Sequence, residues 1–253
     1  MLRFLMINTL IIATFYILIC LGLFLKQDSM LYFQQPAKIN HPDSVMRLQR
    51  PDADLQLSVR LRSSTTAVVY FGGNGEDVSQ SVETLAEAFP QHALYLLHYR
   101  SYGSSSGKPT EAAIAGDALA LFDMVAKKHT RIIVVGRSLG SGVAVRLASQ
   151  RPAARLVLVT PYDSVLGIAE ESWSWFPVRW LLRDKYESWR YARQITVPTT
   201  IIVAGMDNLI PHHSSEQLYQ RFTKGVATYT VIPAVGHNSI SASPQYISLL
   251  AGA

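Results

Sequence analysis

Three residues of this chain are of the types that together carry out nucleophilic catalysis: a serine, an acid and a histidine, in that order along the chain. Ser138 lies at the centre of the G-x-S-x-G pattern Gly136-Arg-Ser-Leu-Gly140. A serine hydroxyl is a weak nucleophile until an imidazole removes its proton, and the imidazole needs a carboxylate that holds its tautomer. Asp207 and His237 follow Ser138 in the order expected for a serine on a strand-to-helix turn. We therefore predict a catalytic triad of Ser138, Asp207 and His237.

The residues around this serine predict the turn that would expose it. The apolar, β-branched run Ile132–Val135 is typical of a buried parallel strand, and Val143–Ser149 has helical spacing. A tight, strained turn between the two would lift the hydroxyl above the edge of the sheet. Gly136 and Gly140 then have a steric role, because a side chain at either position would collide with the neighbouring strand or helix.

A glycine-rich turn supplies candidates for an oxyanion hole. Phe71-Gly-Gly-Asn-Gly75 follows the apolar run Ala67–Phe71. We predict that the donors are the backbone N–H of Leu139, the residue after the nucleophile, and that of Asn74, with Gly73 as the next choice and as a substrate contact. The turn is not a phosphate loop, because no Gly-Lys-Ser/Thr follows it.

Short apolar runs alternate with segments of helical spacing from residue 67 onwards, and the alternation predicts a mostly parallel sheet with helices on both faces. Such sheets hold their chemistry at the carboxyl ends of the strands. The residues Leu55–Leu61 alternate apolar and polar, which predicts a half-exposed antiparallel strand at a sheet edge. The predicted parallel strands are Ala67–Phe71, Ala93–Leu97, Ile132–Val135, Leu156–Val159, Thr200–Ala204 and Tyr229–Ile232. The predicted helices are Val78–Phe89, Glu111–Lys127, Val143–Ser149 and Ser214–Phe222.

The N-terminal segment predicts one membrane anchor. Residues 5–25 carry no charge, and at about 1.5 Å per residue they would cover roughly 31 Å, enough to cross the hydrocarbon core. The segment ends in bulky residues rather than in the small residues of a cleavage site, although a signal peptide stays the alternative. We predict a tail at 1–4, the anchor at 5–25 and a tether at 26–43, with the domain on the non-cytoplasmic side.

Composition fits one large α/β domain at residues 44–253, and it argues against a nucleic-acid partner and a cysteine-based metal site. The net charge of +5 is modest and includes no block of lysine or arginine, so we expect no nucleic-acid partner. Cys20 is the chain's single cysteine, which excludes an internal disulfide and a cysteine-based metal site. The predicted triad chemistry needs no metal and no organic cofactor.

Five motifs in this order resemble the α/β-hydrolase fold, and in particular the small membrane-anchored α/β-hydrolase-domain and lysophospholipase-like serine hydrolases. They are Gly73-Asn-Gly75, Tyr99-Arg-Ser-Tyr-Gly-Ser-Ser-Ser-Gly-Lys-Pro109, Gly136-Arg-Ser-Leu-Gly140, Gly205-Met-Asp207 and Gly236-His237. The resemblance covers roughly residues 45–250 and implies hydrolysis of acyl esters or thioesters without a cofactor. One departure is that many members carry His-Gly-Asn where this chain has Gly72-Gly-Asn74.

Other residues compete for the roles of acid and base. Asp163 follows the apolar run Leu156–Val159 and is the alternative acid, because some hydrolases of this fold carry their acid there. The other histidines are expected to lie in loops, at a helix start or away from strand ends. They are His41, His92, His98, His129, His212 and His213.

An insertion at residues 160–198 is expected to form a cap over the active site, as in many α/β hydrolases. It holds all four tryptophans of the chain, and we predict that Trp173, Trp175 and Phe176 contact the substrate. Aromatic residues mixed with arginines suit a membrane surface, and packing of the tryptophans on the main domain is the alternative. With the anchor, the cap favours an acyl ester or thioester of an amphipathic molecule. A serine peptidase or a catalytically silent anchored binding protein are the alternative functions.

Overall fold

An eight-stranded β-sheet forms the centre of the molecule in the computed structural model, which describes residues 1–38 and 44–252. The strand order is β1-β2-β4-β3-β5-β6-β7-β8. β2 pairs antiparallel with β1 and β4, and all other neighbours are parallel. The strands are β1 (Val45–Arg50), β2 (Ala53–Arg60), β3 (Thr66–Phe71), β4 (Ala93–Leu97), β5 (Arg131–Arg137), β6 (Arg155–Val159), β7 (Thr199–Ala204) and β8 (Ala227–Ile232).

Helices cover both faces of the sheet, as the alternating pattern predicts. Successive strand residues point to opposite faces, so that Val69 and Phe71 belong to one hydrophobic cluster while Val68 and Tyr70 belong to the other. The described α-helices are α1 (Leu2–Leu31), α2 (Val82–Ala88), α3 (Glu111–Ala126), α4 (Leu139–Ala148), α5 (Val165–Ser172), α6 (Val178–Leu181), α7 (Trp189–Ala192), α8 (His212–Arg221) and α9 (Pro244–Ala251). Residues of α3, α4 and α8 pack on the first cluster, and residues of α2 and α9 pack on the second.

The predicted fold class is confirmed, and the six predicted parallel strands lie within β3 to β8 with small differences at their ends. The predicted helices also lie at the expected places. One of them is divided, because Val78–Ser81 is a 3₁₀ turn and the α-helix α2 begins only at Val82.

The prediction for Leu55–Leu61 is correct in pairing and wrong in position and exposure. The strand β2 is antiparallel, but β1 pairs with its outer side and is the true edge. The polar side chains of β2, Gln56 and Ser58, are buried, because the loop after β4 folds over them. Ser58 Oγ lies 2.8 Å from His98 Nε2, and Gln56 Oε1 accepts the Ser104 N–H at 2.7 Å. These bonds satisfy polar groups that the sequence pattern assigns to solvent.

The N-terminal helix begins before and ends after the predicted span at 5–25. α1 runs from Leu2 to Leu31, and its most apolar window has a mean hydropathy of 2.4, long and apolar enough to cross a membrane. The first part of the predicted tether at 26–43 is therefore helical. The chain then extends to residue 38 against the domain, where the Tyr32 hydroxyl bonds to Asp184 at 2.8 Å and to Tyr186 at 2.9 Å. The predicted tether residues 39–43, with His41, lie outside the described residues.

Candidate active site

Ser138 occupies a strained turn between β5 and α4. Its backbone has φ +50° and ψ −119°, a left-handed conformation that costs free energy in a residue with a side chain. Its N–H donates to the carbonyl of Val159 at 2.9 Å, which fixes the turn to the next strand. A Cβ on Gly136 would approach Ala144 to 2.6 Å, and one on Gly140 would overlap the carbonyl oxygen of Phe71. The predicted steric role of both glycines is confirmed.

The structure brings Ser138, Asp207 and His237 together. Asp207 follows β7 and His237 follows β8, so both loops leave the same edge of the parallel sheet as the serine. His237 Nε2 lies 2.9 Å from Ser138 Oγ, and His237 Nδ1 lies 2.8 Å from Asp207 Oδ2. The side chains of His237 and Asp207 are 4% and 1% exposed. A buried chain of hydrogen bonds therefore runs from the acid through the imidazole to the hydroxyl.

The surroundings of Asp207 keep its carboxylate charged. Burial alone would raise its pKa, but the hydrogen bonds from His237 and from the backbone N–H groups of Ile210 and Leu209 outweigh burial, and the pKa lies below its ordinary value. Those two N–H groups reach Oδ1 at 2.8 and 2.9 Å. Because a carboxylate only accepts hydrogen bonds, His237 carries its proton on Nδ1. Its Nε2 is then free to accept the proton of Ser138.

The turn after β3 lies beside the serine. A Cβ on Gly73 would lie 3.3 Å from Ser138 Cβ, but the Gly73 N–H already donates to Glu76 Oε2 at 2.7 Å. The Asn74 side chain is fixed from two sides, because its Oδ1 accepts the Phe33 N–H and the Tyr102 hydroxyl, both at 2.9 Å. Within residues 1–38 and 44–252, the Asn74 N–H donates no hydrogen bond. Of the two candidates in this turn, Asn74 is thus the one with a backbone donor to offer.

The second predicted donor lies at the start of α4. Leu139 is the first residue of that helix, where backbone N–H groups have no partner inside the helix. The carbonyl of Leu139 accepts the Tyr162 hydroxyl at 3.0 Å, which holds this end of the helix. The N–H of Leu139 therefore has the same freedom as that of Asn74 to bind an oxyanion.

A buried ion pair flanks the triad, and it escapes sequence reasoning. Arg137 Nη1 and Glu76 Oε2 are 2.8 Å apart, with side chains 17% and 10% exposed. Glu76 also holds Gly73, while Arg137 Nη2 donates to the carbonyl of His237 at 3.3 Å and to Asn238 Oδ1 at 3.2 Å. We call this pair the Arg137–Glu76 clasp, since it joins the turn after β3 to the histidine loop. Its only sequence signal is an arginine at the second position of G-x-S-x-G.

The alternative acid and bases lie elsewhere. Asp163 Oδ1 is buried without a hydrogen-bond partner in the part of the chain that the structure describes, and His237 bonds to Asp207 instead. His129 Nε2 lies 3.0 Å from the Tyr95 hydroxyl, and His213 pairs with Glu171 on the surface. These contacts are structural, as is the one that buries His98 against Ser58.

The predicted substrate residues of the cap lie beside α1. Trp173 and Phe176 line a cavity of about 180 Å³ between the cap and this helix, and Trp175 is 87% exposed. Among the described residues, none of the three makes a hydrogen bond or a ring contact with the triad. Their predicted role in binding substrate stays a prediction.

Comparison with known proteins agrees with this architecture. Residues 66–188 match the family model described as alpha/beta hydrolase fold. An uncharacterized protein of Mycobacterium tuberculosis is 37% identical over 181 residues, which are 69% of this chain and 64% of that protein. The alpha/beta hydrolase domain-containing protein aho-3 of Caenorhabditis elegans is 28% identical over 199 residues, 75% of this chain and 58% of that protein. The match thus spans less than two thirds of the length of both relatives.

A solved structure gives the same result for the fold. An esterase of Pyrococcus furiosus superposes with a TM-score of 0.66 at 19% identity, covering 87% of this chain and 97% of the esterase. At that identity the likeness concerns the fold. The chain has the α/β-hydrolase fold and is related to alpha/beta hydrolase domain-containing proteins.

Proposed function

We propose that this protein is a membrane-anchored serine hydrolase that cleaves carboxylic esters or thioesters of acyl substrates. The observation that carries the proposal is the relay from Asp207 through His237 to Ser138, with hydrogen bonds of 2.8 and 2.9 Å. Two backbone N–H groups have no acceptor among the described residues: that of Asn74, in the turn beside the serine, and that of Leu139, the residue after it. Together they supply the base, the nucleophile and the electrostatic stabilisation that acyl transfer needs.

The proposed reaction has two halves. His237 Nε2 takes the proton of Ser138 as Oγ attacks the acyl carbonyl, and the oxyanion accepts the N–H groups of Asn74 and Leu139. His237 then gives the proton to the leaving alcohol or thiol, which leaves an acyl-serine. In the second half a water gives its proton to His237 and attacks the ester, and Ser138 departs with that proton as the acid is released.

The substrate class rests on the apolar character of the cap and of α1. The cap that follows β6 exposes Trp175 and Trp180 and lies against the apolar helix α1. Apolar surroundings favour an acyl chain over a polar substrate. The P. furiosus structure of this fold is named as an esterase, which supports ester chemistry by analogy only.

We propose that α1 is an uncleaved anchor. The helix continues to Leu31, and Tyr32 directly after it is 3% exposed in the core of the domain, which joins helix and domain without a free linker. We keep the expectation from charge that the domain lies on the non-cytoplasmic side.

The test is covalent labelling of the detergent-extracted full chain with a fluorophosphonate probe, beside Ser138→Ala. A matched control is Ser141→Ala in the first turn of α4, because the Ser141 hydroxyl is buried without a partner among the described residues. We expect labelling of the wild type and of Ser141→Ala, and none of Ser138→Ala. Hydrolysis of p-nitrophenyl esters of increasing chain length, beside a peptide anilide, then tests the substrate class. A folded wild type that is not labelled would exclude the serine mechanism.

A further inference from the structure

The tip of the cap exposes large apolar side chains. We define the cap tip as residues 172–182, whose sequence Ser-Trp-Ser-Trp-Phe-Pro-Val-Arg-Trp-Leu-Leu contains one charged residue. Trp175 and Trp180 are 87% and 85% exposed. The one charge, Arg179, is paired with Glu170 at 3.0 Å. Exposed apolar groups of this size mark an interaction surface rather than ordinary solvent contact.

The cap tip lies along the second half of α1. The Tyr16 hydroxyl donates to the carbonyl of Trp175 at 2.9 Å, and the Tyr16 ring stacks on Phe176 with centroids 5.8 Å apart. About 17 Å further along the helix, the Gln27 amide donates to the carbonyl of Leu181 at 3.1 Å. The helix and the cap tip therefore run side by side over several turns.

These contacts fix the depth of the cap tip relative to the anchor. From Arg3 to Lys26 the helix carries no other charged residue, a length of roughly 33 Å at about 1.5 Å per residue, close to the thickness of the hydrocarbon core. Lys26 then marks the interface on the side of the domain. Tyr16 precedes Lys26 by ten residues, about 15 Å, towards the bilayer centre. A cap that keeps its contact with Tyr16 cannot stay outside the lipid.

Charges at the other end of the contact agree with this placement. Arg183 follows the cap tip, pairs with Asp28 and lies over the Phe24 ring at 5.2 Å from its centroid. Asp28 also pairs with Lys108 of the main domain. The ion pairs thus gather at the level of Lys26, where headgroups and water solvate them, while Trp175, whose carbonyl accepts the Tyr16 hydroxyl, lies on the apolar side.

We propose that the cap tip inserts into the same leaflet that α1 crosses, with Trp175 and Trp180 in contact with lipid acyl chains. The partner is a phospholipid bilayer, and the inference rests on the proposed membrane span of α1. The cavity between α1 and the cap, lined by Leu23, Trp173, Phe176 and Leu181 among others, then faces lipid. An acyl substrate dissolved in the membrane would meet the protein at the cap.

The test uses three of the four tryptophans as depth probes in the full chain. Three variants each keep one tryptophan, Trp175, Trp180 or Trp189, with the other three changed to phenylalanine. Trp189, on α7, is the internal control, because two charged side chains lie against its ring. The guanidinium carbons of Arg190 and Arg221 are 5.2 and 5.9 Å from the centroid of the Trp189 ring. Each variant is reconstituted in phosphatidylcholine vesicles with or without brominated acyl chains, and circular dichroism checks its fold.

We expect brominated lipid to reduce the emission of Trp175 and Trp180 about twofold and that of Trp189 far less, because Trp175 lies beside Tyr16, about 15 Å from the level of Lys26. Equal emission with both lipids for Trp175 and Trp180 would overturn the proposal, and so would equal quenching of all three tryptophans. Because fluorescence needs no turnover, this outcome is independent of the labelling that tests the serine mechanism.

Discussion

Replacing Glu76 by glutamine isolates the contribution of the Arg137–Glu76 clasp. The change keeps the shape of the side chain but removes its charge and one of its two acceptor oxygens. In the native structure both oxygens are used: Oε1 accepts the hydroxyls of Tyr70 and Ser81 at 2.7 Å each, and Oε2 accepts Gly73 and Arg137 at 2.7 and 2.8 Å. Glu76→Gln therefore leaves Arg137 without its counter-charge, and an amide NH₂ replaces one of the two oxygens that accept hydrogen bonds.

The burial of the pair sets the expected size of the effect. Breaking a buried ion pair by removing one partner costs about 3–5 kcal/mol. Because the clasp is slightly exposed, we expect the free energy of unfolding to fall by about 3 kcal/mol, the lower end of that range. The hydrogen bond from the Gly73 N–H next to Ser138 also weakens when its acceptor loses its charge, so the turn that would offer the Asn74 N–H relaxes. We expect kcat to fall between about tenfold and about 100-fold. The upper value equals the smallest loss that removal of one oxyanion donor causes, about 100-fold.

The assay is urea unfolding combined with p-nitrophenyl ester kinetics, with Asp123→Asn as the matched control. Asp123 forms the same kind of pair with Arg151, at 2.7 and 2.9 Å, but on the surface with side chains 51% and 32% exposed. Exposed pairs contribute about 1 kcal/mol or less, and this one is far from the serine. Equal losses of stability in both variants would refute the argument from burial. A destabilised Glu76→Gln with unchanged kcat would show that the clasp does not position the site.

Three further predictions address the turn, the triad and the pH dependence of folding. Gly140→Ala should prevent correct folding or cost more than about 3 kcal/mol in urea unfolding, because the added methyl would overlap the carbonyl oxygen of Phe71. Asp207→Asn should unfold like the wild type but hydrolyse esters about 10⁴-fold more slowly, because an amide at that position favours the wrong tautomer of His237. Burial lowers the pKa of His98 to about 4 in the folded protein, against about 6.5 when unfolded. The unfolded chain therefore binds more protons between these values, and stability present above pH 6.5 is lost on acidification; His98→Gln should reduce the loss between pH 7 and pH 5 by about 2 kcal/mol.

The sheet could be predicted from sequence because its inner strands are short, solid apolar runs. Buried parallel strands need apolar side chains on both faces, so each one appears in the sequence as a short continuous apolar run. The edge strand β1 gives no such signal. In its sequence Val-Met-Arg-Leu-Gln-Arg only Leu48 is buried, and the strand forms because its backbone pairs with β2. Backbone pairing with a distant segment leaves no trace in local composition.

The candidate site also has one part that could be predicted from sequence and one part that could not. The order of Ser138, Asp207 and His237 at strand ends could be predicted, because the carboxyl ends of parallel strands meet at one edge of the sheet. The clasp could not, because it joins side chains 61 residues apart, and an Arg and a Glu at that separation are ordinary surface residues in most sequences. Only packing shows that they share one buried position beside the serine.

The residues that follow α1 contact the domain, which the description of this segment as a tether leaves out. Tyr32 is 3% exposed and bonds to Asp184 and Tyr186 of the cap, while the next residue, Phe33, donates its N–H to Asn74 Oδ1 at 2.9 Å. Two consecutive residues at the end of α1 therefore hold the cap and the turn that carries the proposed oxyanion donor. A change in the tilt of α1 would act on Asn74 through Tyr32 and Phe33 alone, because these two residues join the helix to that contact. The helix α1 is in this sense part of the construction of the candidate site, and its contacts belong to any account of the chemistry proposed at Ser138.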